Sequence, residues 1–183
     1  MRVIAGAWRG RRLASLPGDE IRPTTGRVRE ALFSILGARI VGAGVADLCC
    51  GAGALGIEAL SRGAARVDFV DISARALAVT AENLGRCGAA PGTWARHRAE
   101  AGGWLAAWRE RGGGPPLIVL ADPPYAADLA ARLLAELVRW PASALLAAVI
   151  EHGADGPPAP PAAGPWQVRR KVYGRSALTI LEA

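Results

Sequence analysis

The sequence predicts an α/β protein built on an open, doubly wound sheet, largely parallel, whose last two strands form an antiparallel hairpin. Three observations carry that expectation. Short apolar runs alternate with amphipathic helical stretches between residues 45 and 151, the order that successive βαβ units produce. Gly51-Ala52-Gly53-Ala54-Leu55-Gly56 separates the first of those runs from its helix, and such a turn lets backbone come close to a ligand. At the other end, Trp166–Tyr173 and Ser176–Leu181 flank Gly174-Arg175 and read as a terminal hairpin.

Taken in order, residues 2–8 and 11–14 read as extended around a turn at Gly10. Arg22-Pro23-Thr24-Thr25 leads into a helix that Thr25 can N-cap, and Val28, Leu32, Ile35 and Leu36 share one apolar side of it. Strand 45–50, helix 54–62, strand 66–71, helix 73–87, a strand near 93–97, helix 100–111 and strand 117–122 follow. Leu129, Leu133, Leu134, Leu137 and Val138 mark a further amphipathic helix, and another strand falls near 145–151. Residues 153–165, rich in Pro, Ala and Gly, read as a surface loop. No repeat or internal boundary interrupts the pattern, so a single domain is expected over 1–183, with a basic N-terminal β-hairpin arm at 1–25 and a Rossmann-like core at 26–183.

Composition narrows the class. With 183 residues, 51% of them hydrophobic, the chain can bury one substantial core. No apolar run approaches the roughly 20 residues that span a bilayer, and the Arg-rich start has no apolar signal segment; a cytoplasmic, soluble monomer is expected. Cys49, Cys50 and Cys87 show no C-x-x-C pairing and read as reduced, buried thiols. His97 and His152 lack metal-ligand spacing, so no metal is assigned.

The net charge of +6 is concentrated at the ends, with seven arginines against three acids in residues 1–30 and four cations against one acid in residues 166–183. That distribution suits a polyanionic partner contacting the termini. Trp8 beside Arg9, Arg11 and Arg12 is an aromatic-plus-cation arrangement able to grip RNA phosphate and stack on a base; Arg22 and Arg27 extend the candidate RNA-contact set. The plainer reading is a solvated arginine-rich surface.

Asp122-Pro123-Pro124-Tyr125, at the end of the apolar run Leu117–Ala121, carries the most chemistry. An exocyclic amine on a planar base is a poor nucleophile, because its lone pair is delocalised into the ring. The Asp122 carboxylate and the Pro123 carbonyl can each accept one of its hydrogens and favour a pyramidal nitrogen. Two prolines hold those acceptors rigidly, and the Tyr125 ring offers a stacking face for an extruded base. The competing reading is a strand end followed by a turn.

The donor side lies upstream. Gly51 and Gly53 permit a sharp turn, Gly56 permits close helix–strand packing, and Asp71 stands twenty positions after Gly51, where a carboxylate can hold ribose hydroxyls. Asp47, four residues before Gly51, would repel a pyrophosphate and attract an ammonium; the alternative role for it is a hydrogen bond that orients the loop. Because ligands of open α/β sheets bind outside the carboxyl ends of the strands, the glycine loop, Asp71, Glu100 and Asp122 can share one crevice.

The stretch Asp47-Leu48-Cys49-Cys50-Gly51-Ala52-Gly53-Ala54-Leu55-Gly56-Ile57-Glu58-Ala59-Leu60-Ser61-Arg62-Gly63-Ala64, together with Asp122-Pro123-Pro124-Tyr125, resembles the bacterial 16S rRNA guanine-N2 methyltransferase family. So do the opening Arg2-Val3-Ile4-Ala5-Gly6-Ala7-Trp8-Arg9-Gly10-Arg11, the segment Arg22-Pro23-Thr24-Thr25-Gly26-Arg27-Val28-Arg29-Glu30, and the closing Lys171-Val172-Tyr173-Gly174-Arg175-Ser176, in order over nearly the whole chain. The resemblance implies a seven-stranded class I S-adenosylmethionine-dependent methyltransferase acting on a guanine of small-subunit rRNA; a ribosomal particle is the expected setting, with naked RNA the alternative. It implies that Asp47 and Gly51, Ala52 and Gly53 hold the methionine end of the cofactor, Asp71 with Ile72 the ribose, and Glu100 with Ala101 the adenine edge, while Asp122 borders both ligands. Glu100 is equally a carboxylate favoured at a helix start by the dipole. Cys49-Cys50 departs from the Phe-Ala expected at that place.

Two other readings fit parts of the pattern. An adenine-N6 DNA methyltransferase would use the same tetrapeptide, although the chain has no separate domain for reading a DNA groove. An NAD(P)-binding oxidoreductase or a non-catalytic RNA-binding module would use the glycine turn but leaves Asp-Pro-Pro-Tyr unexplained.

Overall fold

The computed structural model describes residues 1–16, 26–111, 115–124, 128–156 and 165–182. Its strands are β1 (Gly44–Leu48), β2 (Arg66–Asp71), β3 (Trp94–Arg98), β4 (Leu117–Ala121), β5 (Leu145–Gly153), β6 (Gln167–Tyr173) and β7 (Ser176–Glu182), and its helices are α1 (Gly26–Leu36), α2 (Ala54–Ser61), α3 (Ala74–Cys87), α4 (Ala101–Glu110) and α5 (Leu129–Leu137). They form one mixed sheet of order β3-β2-β1-β4-β5-β7-β6. β1 to β5 are mutually parallel, and β7 runs antiparallel to both β5 and β6, which is the largely parallel sheet with an antiparallel C-terminal hairpin that the sequence predicts.

The near-continuous apolar runs of the central strands follow from burial on both faces. In β4 all five residues are buried. One face packs on α1, α2 and α3 through residues such as Leu32, Phe33, Ile57 and Leu84; the other packs on α4 and α5 through Leu105, Leu133, Leu134 and Leu137. At about 25 cal/mol per Å², these two layers supply the main driving force. α3 starts at Ser73, whose Oγ accepts from the Ala76 amide, and stops at Gly88 in the left-handed region (φ 68°).

Two boundaries differ from the sequence expectation. β1 ends at Leu48, so Cys49 and Cys50 lie beyond the strand rather than in it; Cys49 takes φ 56°, which breaks the ladder. Among its described residues the N-terminal arm forms one isolated bridge, Arg2 with Arg12, with the Val3 and Leu13 amides donating to the Arg11 and Met1 carbonyls. Residues 5–10 curl instead of extending, because helix α2 takes their polar groups. Glu58 accepts from the Ile4 and Ala5 amides at 2.7 and 3.0 Å, while Ser61 Oγ accepts from the Trp8 amide and donates to the Ala5 carbonyl. The Thr25 cap and the Pro-rich part of the 153–165 loop lie outside the described residues.

Glu58 also meets Arg62 at 2.8 Å and Arg29 at 3.9 Å. Arg29 and Glu58 are both buried, and the Arg29 guanidinium donates to the Arg2 carbonyl. Removing one partner of a buried ion pair strands the other. Glu58→Ala is therefore expected to lower stability by about 3–5 kcal/mol, measured as a shifted urea midpoint; a shift smaller than about 1 kcal/mol would show that the arm is not held this way.

Candidate active site

β1 sits between β2 and β4. The crossovers leaving it go to opposite faces, with α2 and α3 on one side and α4 and α5 on the other, so a crevice opens at the carboxyl ends of β1 and β4. The segments after β1, β2, β3 and β4 all arrive there, which brings Asp47, the Gly51–Gly53 turn, Asp71, Glu100 and Asp122 to one end of the sheet.

The turn after β1 is shaped by three residues of positive φ: Cys49 at 56°, Gly51 at 54° and Gly53 at 80°. At Gly53 a Cβ would also stand 2.8 Å from Thr80 Cγ2, and at Gly56 it would meet the Phe69 ring at 2.3 Å. The two positions thus exclude side chains for different reasons, conformation and contact at Gly53 and helix–strand packing at Gly56. Hydrogen bonds then hold the turn. Asp71 Oδ2 accepts from the Gly51 amide at 3.0 Å, and its Oδ1 accepts from the Ser73 amide at 2.8 Å. Asp47, fully enclosed, accepts from the Gly56 amide at 2.8 Å; this is the loop-orienting role left open for it.

Sequence reasoning missed two residues that brace this turn. Thr80 Oγ1 donates to the Gly51 carbonyl at 2.9 Å, and Asn83 Nδ2 donates to the Ala52 carbonyl at 2.9 Å. Asn83 also accepts from the Ala14 amide and donates to its carbonyl, tying the arm to the loop. The available signal was two polar residues three apart on the buried side of α3, where an apolar pair would be ordinary.

The crevice is lined by the carboxyl groups of Asp47, Asp71, Glu100 and Asp122. Burial, chiefly, pushes the Cys49 thiol up to about 12, and the charges of Asp71, Asp47, Asp122 and Glu100 push the same way. Asp47 is raised well above the carboxylate range, mainly by burial, with Asp122 and Asp71 adding to the shift against the Gly56 hydrogen bond. Carboxylates crowded in this manner favour a cationic ligand, whose charge relieves their repulsion. The groups present fit S-adenosylmethionine: acceptors for an ammonium and a sulfonium, Asp71 oxygens with spare lone pairs for ribose hydroxyls, and Ile72, 69% exposed beside Asp71, as an apolar surface for the adenosine.

The remaining expected residues fall as follows. Asp122 is half-buried, Pro123 buried and Pro124 exposed, while Tyr125 lies outside the described residues. Glu100 caps α4 by accepting from the Gly103 amide at 2.7 Å, and stands 3.7 Å from Arg132, as a helix-start carboxylate does; Ala101 is buried behind it. Among the RNA candidates, Arg9 and Arg12 are exposed, Arg11 donates to the Arg86 carbonyl, and Trp8 packs partly buried against the core. These contacts lie at the far ends of α2 and α3, about 12 Å or more from the glycine loop, so the structure does not bring them into the crevice. Among the described residues of the arm, Ala14 to Leu16 approach it, with Leu16 Cδ1 4.0 Å from where a Gly51 side chain would begin. Arg27 is exposed at the start of α1; Arg39 beyond the other end of that helix pairs with Glu182, by the amino end of β5, which leaves Arg27 toward the crevice. Arg22 lies outside the described residues.

Both histidines are structural. His97 Nε2 pairs with Asp68 at 2.7 Å, and His152 bonds Thr179 Oγ1 and the Gly153 carbonyl. Among the described residues no group of three His, Cys, Asp or Glu could hold a metal, and no helix is long and apolar enough to cross a membrane.

A seven-stranded sheet of this order, with a glycine turn after β1 and an acidic residue ending β2, defines the protein as a class I S-adenosylmethionine-dependent methyltransferase. The model of a family described as conserved hypothetical protein 95 matches residues 1–182. The chain is also 36% identical, over its full length and 89% of the relative's, to ribosomal RNA small subunit methyltransferase D of Escherichia coli K12. Among solved structures, the Escherichia coli protein yhhF superposes with a TM-score of 0.79 at 34% identity, covering 99% of this chain and 96% of that one. A hypothetical protein of Thermus thermophilus gives 0.78 at 30%, covering 100% and 99%. The chain belongs to the conserved hypothetical protein 95 family.

The burial of Cys49, with the carboxylates around it, has a direct readout. A thiol raised to about 12 stays protonated at pH 8, and the thiolate is the reactive form. In the folded protein, thiol labelling by Ellman's reagent at pH 8 is expected to be at least about 100-fold slower than in guanidinium. A fast phase lost in Cys49→Ser would overturn the assigned electrostatics.

Proposed function

We propose that this protein transfers the methyl group of S-adenosylmethionine to the exocyclic N2 amine of a guanine in small-subunit ribosomal RNA. The observation that carries the reading is Asp122-Pro123-Pro124, set at the carboxyl end of β4 in the same carboxylate-lined crevice as the glycine turn. The Escherichia coli relative, named for methylation of small-subunit ribosomal RNA, supports the choice of acceptor.

When bound, the cofactor supplies a methyl group already activated on a sulfonium. The chain's task is to hold and orient. Asp47 and the backbone of Gly51, Ala52 and Gly53 hold the methionine end, Asp71 with Ile72 the ribose, and Glu100 with Ala101 the adenine edge. Asp122 accepts one hydrogen of the guanine amine and the Pro123 carbonyl accepts the other, which turns the nitrogen lone pair toward the methyl group. Asp122 also takes up the proton released, directly or through water. Tyr125 supplies the ring on which the extruded base stacks. Positioning accounts for most of the acceleration, since the electrophile is ready-made.

The spread of the basic residues supports a folded RNA presented within a ribosomal particle as the substrate; a single copy of the protein acting in the cytoplasm completes the reading. Arg27 is exposed at the amino end of α1, whereas Arg9, Arg11 and Arg12 lie beyond the far end of α2, so a partner engaging all of them must be broader than a single strand.

Mass spectrometric mapping of small-subunit rRNA from cells with and without the gene is expected to show one N2-methylguanine lost. Asp122→Ala should cut methyl transfer by at least about 10²-fold while calorimetry with S-adenosylhomocysteine shows near-normal binding. Wild-type turnover by that variant would remove Asp122 from the reaction.

A further inference from the structure

Asp-Pro-Pro handles an amine on a planar ring, and adenine presents one as readily as guanine does. Asp122 alone therefore leaves the choice of base unexplained. A second carboxylate stands beside it. β4 and β5 are parallel neighbours with Ala121 opposite Ile150. Asp122 and Glu151 are each one residue further on, separated by about the 4.8 Å that divides adjacent strands.

Their side chains share a face. Alternation along β5 puts Val149 in the core beneath α1 to α3 and Ile150 in the opposite core, so Glu151 returns to the Val149 side. Leu120 and Ala121 alternate in the same sense, which places Asp122 there too. Asp47 and Asp71 follow, because Ala46, Leu48 and Val70 all belong to the opposite core. Glu151 is only 2% exposed and closes the apolar run Leu145–Ile150. It thus stands at the carboxyl end of β5, on the acidic side of the crevice, next in line after Asp122.

We propose that Glu151 accepts the N1–H of the target guanine while Asp122 accepts a hydrogen from N2, so that two neighbouring carboxylates together select guanine over adenine. The assignment rests on the guanine-N2 reading above. The Watson–Crick edge of guanine carries N1–H and the N2 amine as adjacent donors, a match for two acceptors side by side. Adenine carries an amine beside N1, which is itself an acceptor. A carboxylate opposite that lone pair meets acceptor with acceptor, and in a desolvated setting the mismatch is felt at full strength. Sites built to hydrogen-bond one substrate group reject analogues lacking it by up to about 10⁴–10⁵.

The test uses small-subunit particles reconstituted with rRNA that carries either guanine or 2-aminopurine at the mapped position. 2-Aminopurine keeps the C2 amine but has a bare N1. The wild-type protein is expected to prefer guanine by at least about 100-fold in kcat/KM, and Glu151→Gln, whose amide can donate to a bare N1, to bring the two substrates within about tenfold. Calorimetry with S-adenosylhomocysteine should give binding within about twofold of wild type, which separates base selection from damage to the cofactor site or the fold. An unchanged preference in Glu151→Gln, or an equal fall on both substrates, overturns the role of Glu151 alone. A wild-type protein that methylates no rRNA guanine overturns the functional reading itself.

Discussion

Asp47, sealed beneath the glycine turn and accepting the Gly56 amide at 2.8 Å, is the contact on which the arrangement of the crevice depends. It joins the end of β1 to the start of α2, and the absence of a side chain at Gly56 lets that helix lie against Phe69 of β2. Asp71 repeats the device from the neighbouring strand by taking the Gly51 amide. Buried carboxylates are costly unless backbone donors or a cation meet them. The fold meets part of that cost with amides, and the crowding of Asp47, Asp71 and Asp122 leaves a field that a positively charged ligand completes.

A second set of buried polar contacts fastens the basic arm. Glu58 holds Ile4 and Ala5 and Asn83 holds Ala14, so the described part of the arm is laid along α2 and α3. Asn83 also bonds the Ala52 carbonyl, and one side chain therefore links the arm to the glycine turn. The arm and the glycine turn are in this way fixed to each other through α3.

Much of this was legible in the residues themselves. Alternating apolar runs and helical spacing reveal α/β order, because period and burial are properties of single elements. The glycines at 51, 53 and 56 and the Asp-Pro-Pro turn signal their roles through backbone restriction, which is local too. Less visible were Thr80 and Asn83, whose polar groups on the inner side of α3 acquire meaning only once the loop they brace is in place. Cys49 gave a misleading signal, since its apolar, strand-like neighbourhood hides the left-handed turn that ends β1. Trp8 and the arginines around it read as one nucleic-acid patch, yet α2 folds that segment down to the end of the sheet opposite the crevice.

The sequence by itself determined the class of fold and, through its order of motifs, the family of the enzyme, and it offered the glycine turn and the Asp-Pro-Pro turn as candidate site elements. Only the tertiary structure decided which acidic groups share the crevice, how the arm is fastened, and that Glu151 lies beside Asp122, from which it is twenty-nine residues distant in the chain. The reason is physical. Periodicity and turn chemistry are written within a few residues, whereas neighbours across a sheet follow from strand order and register, which the long-range packing of both cores selects.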